Sequence, residues 1–296
     1  MDRMRSWMFV PGHSEKMIEK SLSTAADVVM FDLEDGVVPV MKAPARPIVA
    51  AGLGRPGPRN GPLRYVRVNG CDTPEHLDDL AAVVMPGLAG LTVPKVETPA
   101  EVATLSARLD VLEKQRAMKP GTVRLMLAIE TARGLLAAPA LAAASPRVGG
   151  LMFGAEDFSR DIGLPAVRTG VARDFVHARS AIVVAATAAG GAAVDGVWPD
   201  LKDEEGLARD SAMARALGFL GKSLVHPGQI GAVNAAFSPS EEEIAYAKAL
   251  SADFERAIAA GHGSINFRGK LVDRPIYERA RATLRLAERI ATATAA

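Results

Sequence analysis

Val123-Arg124-Leu125-Met126-Leu127-Ala128-Ile129-Glu130 is an apolar run of strand length that ends on a carboxylate. Val148-Gly149-Gly150-Leu151-Met152-Phe153-Gly154-Ala155-Glu156-Asp157 follows the same plan and delivers Asp157. In a parallel α/β protein the C-terminal ends of the strands form the rim of the active site, so acids carried there by successive strands converge on one small volume. Two oxygen donors with room left for water and substrate suit Mg²⁺, a hard cation that keeps an incomplete protein shell.

Outward from this pair, strand-length apolar runs recur at Ser6 to Val10, Val28 to Leu33, Tyr65 to Val68, Gly90 to Val93, Ala193 to Val197 and Phe219 to Val225. With the two quoted runs they make about eight strands, the number a closed (β/α)8 barrel requires. Alanine-rich segments with helical composition lie between them, among them Pro99 to Gln115, Val171 to Ala189 and Leu201 to Leu217. Alternation of this kind is the signature of parallel βαβ units. No Gly-x-Gly-x-x-Gly turn follows the first strand and no Gly-x-x-x-x-Gly-Lys loop occurs, so doubly wound nucleotide folds lose their usual marker. A barrel is expected, with an open sheet as the runner-up.

Two stretches break the rhythm. Gly52 to Pro62 is dense in Gly, Pro and Arg and reads as an exposed loop before the third strand. The tail carries a helix start at Pro239-Ser240-Glu241, a glycine-bracketed segment from Gly261 to Asp273, and a last helix opening at Arg274-Pro275. The expected organisation is therefore a barrel over residues 1–237 and a helical lid or assembly extension over residues 238–296.

Composition narrows the function by exclusion. A formal net charge of +1 gives no general attraction to nucleic acid or to a membrane. The single cysteine, Cys71, rules out an intramolecular disulfide and a cysteine-rich zinc cluster, and a buried inert thiol in a reducing cytoplasm is the expectation. No charge-free window reaches membrane-spanning length, and the N-terminus lacks a long apolar stretch, so a soluble, uncleaved chain is expected.

The residues that close the strands form a polar rim: His13, Asp32, Glu34, Asp35, Arg67, Asn69, Lys95, Glu130, Asp157, Trp198 and His226. Polar residues often follow strands merely to start loops, and His13, Lys95 and His226 taken singly fit that description. As a set the acids would repel one another unless a cation compensates. Glu130 and Asp157 as ligands, with Glu34 or Asp35 holding metal-bound water, is the economical arrangement. In Arg64-Tyr65-Val66-Arg67-Val68-Asn69 the period-two alternation puts Tyr65, Arg67 and Asn69 on one side. If that side faces the lumen, Arg67 is a partly buried cation that needs an anion. Either a substrate carboxylate or enolate, or an internal ion pair to Glu34 or Asp35, would serve.

Several strings in order resemble the citrate lyase beta-subunit-like branch of the HpcH/HpaI aldolase superfamily. They are Arg5 to Gly12, Asp32-Leu33-Glu34-Asp35-Gly36-Val37 with Lys42 and Ala45-Arg46, Arg67-Val68-Asn69, Pro94-Lys95-Val96-Glu97, Ile129 to Gly134, Phe153 to Asp157 and Lys222 to Pro227. The resemblance implies a TIM barrel that binds Mg²⁺, or Mn²⁺ in its place, through Glu130 and Asp157. It implies cleavage of a carbon–carbon bond in a 3-hydroxyacyl-CoA of the citramalyl-CoA or malyl-CoA type to acetyl-CoA and pyruvate or glyoxylate. Arg67 then stabilises the acetyl-CoA enolate, and Glu34, Asp35, Lys42 and Arg46 fall among the residues that bind cofactor and substrate.

Gly269-Lys270-Leu271-Val272-Asp273-Arg274-Pro275 resembles the Gly-Lys-Met-Ile-Asp-x-Pro segment of malyl-CoA and citramalyl-CoA lyases and of malyl-CoA thioesterases. The aspartate of that segment is supplied by a neighbouring subunit as acid/base, so Asp273 is the matching residue and a homotrimer or homohexamer is implied. An N-cap of the last helix is the structural alternative for Asp273. Alternative activities are a malyl-CoA thioesterase or malate synthase-like reaction, and a citrate lyase beta subunit working on a carrier inside a complex. Two departures from the family pattern, Trp7 and the proline-rich Lys42-Ala43-Pro44-Ala45-Arg46-Pro47, are expected near the CoA tail or the acyl substituent.

Overall fold

Eight parallel strands close into a barrel in chain order: β1 (Ser6–Pro11), β2 (Val28–Asp32), β3 (Leu63–Arg67), β4 (Gly90–Val93), β5 (Arg124–Ile129), β6 (Val148–Phe153), β7 (Ala192–Asp195) and β8 (Gly221–Leu224). Closure is explicit at the seam, where Ser6, Trp7 and Met8 pair with Lys222, Ser223 and Leu224. The open sheet is thereby excluded. The computed structural model describes residues 4–164 and 175–295. Contacts divide the chain into two units, Arg3–Phe237 and Ser238–Ala296.

Helices α1 (Glu15–Ser21), α2 (Pro39–Gly54), α3 (Glu75–Val83), α4 (Pro99–Gln115), α5 (Ala132–Ala143), α6 (Ala155–Asp161), α7 (Val176–Ala188), α8 (Glu204–Leu217) and α9 (Ile230–Ala236) complete the barrel unit. The beginning of the helix expected from Val171 falls outside the described residues. Period-two alternation sorts the strand side chains into two cores. Trp7, Val28, Met30, Tyr65, Met126 and Met152 fill the lumen, while Met8, Val29, Phe31, Val66 and Leu125 pack outward with helix residues such as Ile18 and Val49. Each fully buried side chain of this size stabilises the fold by about 1.5–3 kcal/mol.

Local chemistry sets the helix starts. At α4, Thr98 and Glu101 form a reciprocal capping box around Pro99 in the first turn, and Val102, Leu105 and Leu109 bury one face. At α2 the tertiary fold overrides propensity. The proline-rich segment is helical, with Pro44 and Pro47 both inside, although an interior proline costs about 3 kcal/mol in a helix. Ala45, Val49 and Leu53 recur at helical spacing and are buried on the barrel, which holds the helix through both prolines. The loop expected from Gly52 starts only after Gly54 for the same reason.

Trp7 does not lie at the rim. It is wholly buried in the lumen, edge-on to Tyr65 at 4.8 Å, with its indole N–H donated to the Met4 carbonyl at 3.1 Å. Cys71 matches the inert thiol: burial, with Glu101 and Asp72 nearby, pushes it up to about 12. Among the described residues no helix is long and apolar enough to cross a membrane.

The second unit contains α10 (Glu241–Ala259), a hairpin of β9 (Ile265–Phe267) and β10 (Lys270–Val272), and α11 (Arg274–Ala295). Ser240 and Glu243 cap α10 reciprocally. Arg268 (φ 52°) and Gly269 (φ 79°) form the two-residue hairpin turn, where both backbones are left-handed. Leu250, Phe254, Phe267, Val272 and Ala280 make its small core, with Phe254 stacked on Tyr277 at 4.9 Å.

Candidate active site

Asp32 is the last residue of β2, and its carboxylate accepts the backbone N–H groups of Glu34 and Gly36, each at 2.9 Å. That double acceptance folds Leu33 to Gly36 into a tight loop and turns Glu34 and Asp35 over the rim. A side chain at position 36 would put its Cβ 2.3 Å from the Asp32 carboxylate, so the loop requires glycine there. From the next strand, Arg67 donates through Nε and Nη2 to the two oxygens of Asp32, both at 2.7 Å. Its Nη1 lies 2.9 Å from Glu34, and its guanidinium sits over the Phe9 ring at 4.7 Å. A planar fork held on one edge by a carboxylate and on one face by a ring is fixed in orientation, and the guanidinium lines the cavity above. Burial pulls its pKa down, but Asp32 and Glu34 more than compensate and hold it above the ordinary value.

Glu130 follows β5 and is 5% exposed. Burial and the nearby Glu34 carboxylate push its pKa up to about 7, against the opposing pull of Arg67 and Lys95. A carboxylate whose surroundings leave it short of positive charge is a ready cation ligand. Its position depends on Gly154, where a Cβ would lie 2.2 Å from Glu130 Cγ. Asp157 sits in the first turn of α6, where the helix N-terminus favours its negative charge, and Arg160 contacts it at 2.7 Å from a solvent-exposed position.

Lys95 completes the rim. It follows β4 with φ 53°, and its backbone N–H reaches Glu130 Oε2 at 3.1 Å. Its ammonium pairs closely with Glu34 and lies 3.4 Å from Asp35, 3.8 Å from Asp157 and 4.0 Å from Glu130. Burial lowers its pKa, while Glu34 and Glu130 raise it by more, so it stays charged. Asp35 is held below the usual carboxylate range because Lys95 and Arg67 outweigh its partial burial.

These groups surround a cavity of about 390 Å³ lined by Phe9, Arg67, Glu130, Asp157, Thr92 and Ser223 among others. That is the small end of the ~300–1,000 Å³ typical of ligand pockets. The hydroxyls of Thr92 and Ser223 are buried without a hydrogen-bond partner, and both residues line the cavity, so each leaves an unused hydroxyl at its wall. The five carboxylates of Asp32, Glu34, Asp35, Glu130 and Asp157 outnumber the three cations that contact them, Arg67, Lys95 and Arg160. Among the described residues no three His, Cys, Asp or Glu side chains form a complete metal cage. An acidic site with an incomplete protein shell fits a divalent cation whose remaining ligands are substrate and water.

The structure thus brings Arg67, Glu34, Asp35, Glu130 and Asp157 together. Lys42 and Arg46 stand apart from the cavity lining. Lys42 Nζ donates to the carbonyls of Leu33 and Glu34, each at 3.0 Å, and to the Asn69 side chain, which braces the acidic loop from behind. Arg46 donates to Asp79 at 2.8 Å and to the Glu75 carbonyl at 3.3 Å, tying α2 to α3. Asp273 lies in the second unit between β10 and α11, half-buried, with its carbonyl accepting the Tyr277 N–H at 3.0 Å. His226 is exposed and accepts the Gly228 N–H at 3.1 Å, so it caps a single turn. Thr92 escapes sequence reasoning because nothing in its surroundings marks it, and Ser223 lies inside the Lys222 to Pro227 string without being singled out there. Lys95 sits inside the Pro94-Lys95-Val96-Glu97 string, but its left-handed backbone has no signal there.

The model of a family described as HpcH/HpaI aldolase/citrate lyase matches residues 5–227. Over 283 residues the chain is 39% identical to the citrate lyase subunit beta of Leuconostoc mesenteroides subsp. cremoris, covering 96% of this chain and 93% of that protein. It is 35% identical over 298 residues to the mitochondrial citramalyl-CoA lyase of Homo sapiens, covering 97% and 86%. A crystal structure of protein CitE from Mycobacterium tuberculosis in complex with magnesium, acetoacetate and coenzyme A superposes with a TM-score of 0.79 at 32% identity, covering 97% of this chain and 98% of that one.

Proposed function

The chain belongs to the HpcH/HpaI aldolase/citrate lyase family, and on that premise we propose that it is a Mg²⁺-dependent carbon–carbon lyase acting on a 3-hydroxyacyl-CoA of the citramalyl-CoA or malyl-CoA type. The products are acetyl-CoA and pyruvate or glyoxylate. The observation that carries this reading is the convergence of Glu130 and Asp157 with the fixed guanidinium of Arg67 around one cavity. A C–C cleavage of this kind leaves a 2-oxo acid at one end and an enolate at the other. An acidic cation site beside an oriented guanidinium serves both ends.

Glu130 and Asp157 are the residues assigned to hold the metal, which when bound polarises the oxygens of the 2-oxo acid half. As the substrate's 3-hydroxyl gives its proton to water and its oxygen becomes the ketone, the electron pair of the breaking bond moves onto the acetyl-CoA half, and Arg67 binds the resulting enolate oxygen with the N–H groups that its ion pairs leave open. Asp273 of a neighbouring copy gives the proton that converts the enolate carbon to the methyl group. Thr92 and Ser223 offer hydroxyls to the substrate oxygens, and Lys42 keeps the acidic loop in register. A homotrimer or a dimer of trimers accommodates a catalytic group from a neighbour.

The test is release of 2-oxo acid from citramalyl-CoA and from malyl-CoA by the isolated protein. Turnover should vanish in a chelator and return with Mg²⁺ or Mn²⁺. Turnover that ignores the chelator would refute the metal reading. Silence with both thioesters would favour a subunit that works on a carrier within a complex.

Two further outcomes are expected at the cation site. Gly154→Ala forces Glu130 aside, and Mn²⁺ affinity measured by titration should fall by about 10–100-fold, the range seen when the support of a metal ligand is disturbed. Unchanged affinity would mean that Glu130 moves without cost or is not a ligand. The second concerns pH. Burial and the nearby Glu34 push Glu130 up from the ordinary 4.5 to about 7 in the folded chain, so the native state binds this proton more tightly than the unfolded state does. Its stabilising effect is complete below pH 4.5 and is lost as pH rises through about 7, a change on the order of 3 kcal/mol. Denaturant titrations in a chelator at pH 5 and pH 8 should show this loss in wild type and not in Glu130→Gln. Parallel behaviour of the two proteins would place the proton elsewhere.

A further inference from the structure

Lys95 departs from its surroundings in two independent ways. Its backbone is left-handed at φ 53°, a conformation that side chains other than glycine adopt at a cost. Its ammonium also stands among four carboxylates, paired with Glu34 and within 4.0 Å of Asp35, Asp157 and Glu130. The turned backbone aims the N–H of Lys95 at Glu130 while the side chain folds back over the same acids. Strain retained at such a position has a local use.

We propose that the Lys95 ammonium is the built-in counter-cation of the acidic rim, holding its carboxylates in place before the divalent cation binds and being displaced when it does. This rests on the reading of Glu130 and Asp157 as the metal site. Without a positive charge between them, Glu34, Asp35, Glu130 and Asp157 would push one another apart at these separations. With a divalent ion seated on Glu130 and Asp157, the ammonium would face a stronger like charge within a few ångströms and must swing out. At 31% side-chain exposure Lys95 has a route to solvent. The exchange replaces one positive charge by two and releases Asp35 and one oxygen of Glu34, whose other oxygen stays with Arg67, to hold water. Metal affinity in the wild type is thus reduced by the work of expelling the ammonium. Lys95 is on this account a positioning residue that keeps the site preorganised while it is empty of metal.

The experiment compares wild type with Lys95→Met and Lys95→Gln, both unbranched at Cβ and so no worse suited to the left-handed backbone. Mn²⁺ binding is measured by titration, with thermal unfolding in a chelator alongside. Removing the ammonium should tighten Mn²⁺ binding by about tenfold or more and lower the unfolding midpoint in chelator, with the midpoint recovered by Mn²⁺. A residue with a merely structural role would weaken metal binding or leave it alone, so equal or weaker affinity overturns the proposal. Should neither variant fold, wild type decides: acetylation of Lys95 by acetic anhydride, mapped by mass spectrometry, should run several-fold faster with Mn²⁺ than with chelator. Slower or unchanged labelling overturns it equally. If wild type binds no Mn²⁺ at all, the metal reading of the rim fails, and that result is distinct from binding with an unmoved affinity in the variants.

Discussion

Replacing Asp273 by Asn should lower kcat by about 10²–10⁴, the range that a positioned acid or base contributes, while Mn²⁺ binding stays at its wild-type value. The change keeps the shape of the side chain and one acceptor oxygen, and it removes the negative charge together with the capacity to exchange a proton. Asp273 precedes α11 and its carbonyl accepts the Tyr277 N–H, so a purely structural role as a helix cap would be served nearly as well by Asn. Stability therefore should not separate the variant from wild type, whereas turnover should. Near-wild-type turnover would reduce Asp273 to a cap and remove the neighbouring copy from the chemistry.

Arg67→Lys should lower kcat by about 10²–10³, as removal of one well-placed oxyanion donor does. The guanidinium spends Nε and Nη2 on Asp32 and Nη1 on Glu34, and only a planar fork can meet both acids and still turn N–H groups to the cavity. A lysine ammonium keeps the charge and could reach one of these acids, but it cannot hold both and an enolate oxygen in a fixed plane. Its contact over the Phe9 ring is also weakened. Because charge is preserved, KM should move far less than kcat. A kcat near wild type would take Arg67 out of the mechanism and leave it as the structural partner of Asp32.

The barrel was legible because strand-length apolar runs leave a strong signal. The run from Gly90 to Val93 and the helical segment from Pro99 to Gln115 correspond to β4 and α4 without adjustment, the latter because proline and a Thr–Glu box mark its start chemically. Alternation in residues 64–69 grouped Tyr65, Arg67 and Asn69 on one side; the structure places Tyr65 and Arg67 on the lumen side, whereas Asn69, past the end of the strand, binds Asp79 and the Leu33 carbonyl. Of the two partners weighed for Arg67, a substrate anion and an internal acid, the structure shows the internal one. The structure uses Glu34 for one edge, and Asp32, absent from the weighed partners, for the other.

What was not legible depends on contacts between distant residues. Helical structure through Pro44 and Pro47 runs against local propensity and follows from the buried face of α2. Lys42 and Arg46 belong to the resembling string, yet both donate to protein acceptors outside the cavity lining, a distinction that spacing does not encode. Trp7, expected near the CoA tail or the acyl substituent, instead fills the lumen, where the partner ring of Tyr65 comes from another strand. The hairpin of β9 and β10 hides behind short runs of three residues each, with only Gly269 to mark its turn. The left-handed Lys95 has no compositional mark at all.

The most direct test of the central claim is a single time course in which the isolated protein, supplied with Mg²⁺, receives citramalyl-CoA or malyl-CoA while 2-oxo acid and free CoA thiol are measured together. A carbon–carbon lyase predicts pyruvate or glyoxylate appearing with acetyl-CoA and without free thiol. Free thiol with little 2-oxo acid would contradict it and make the enzyme a thioesterase.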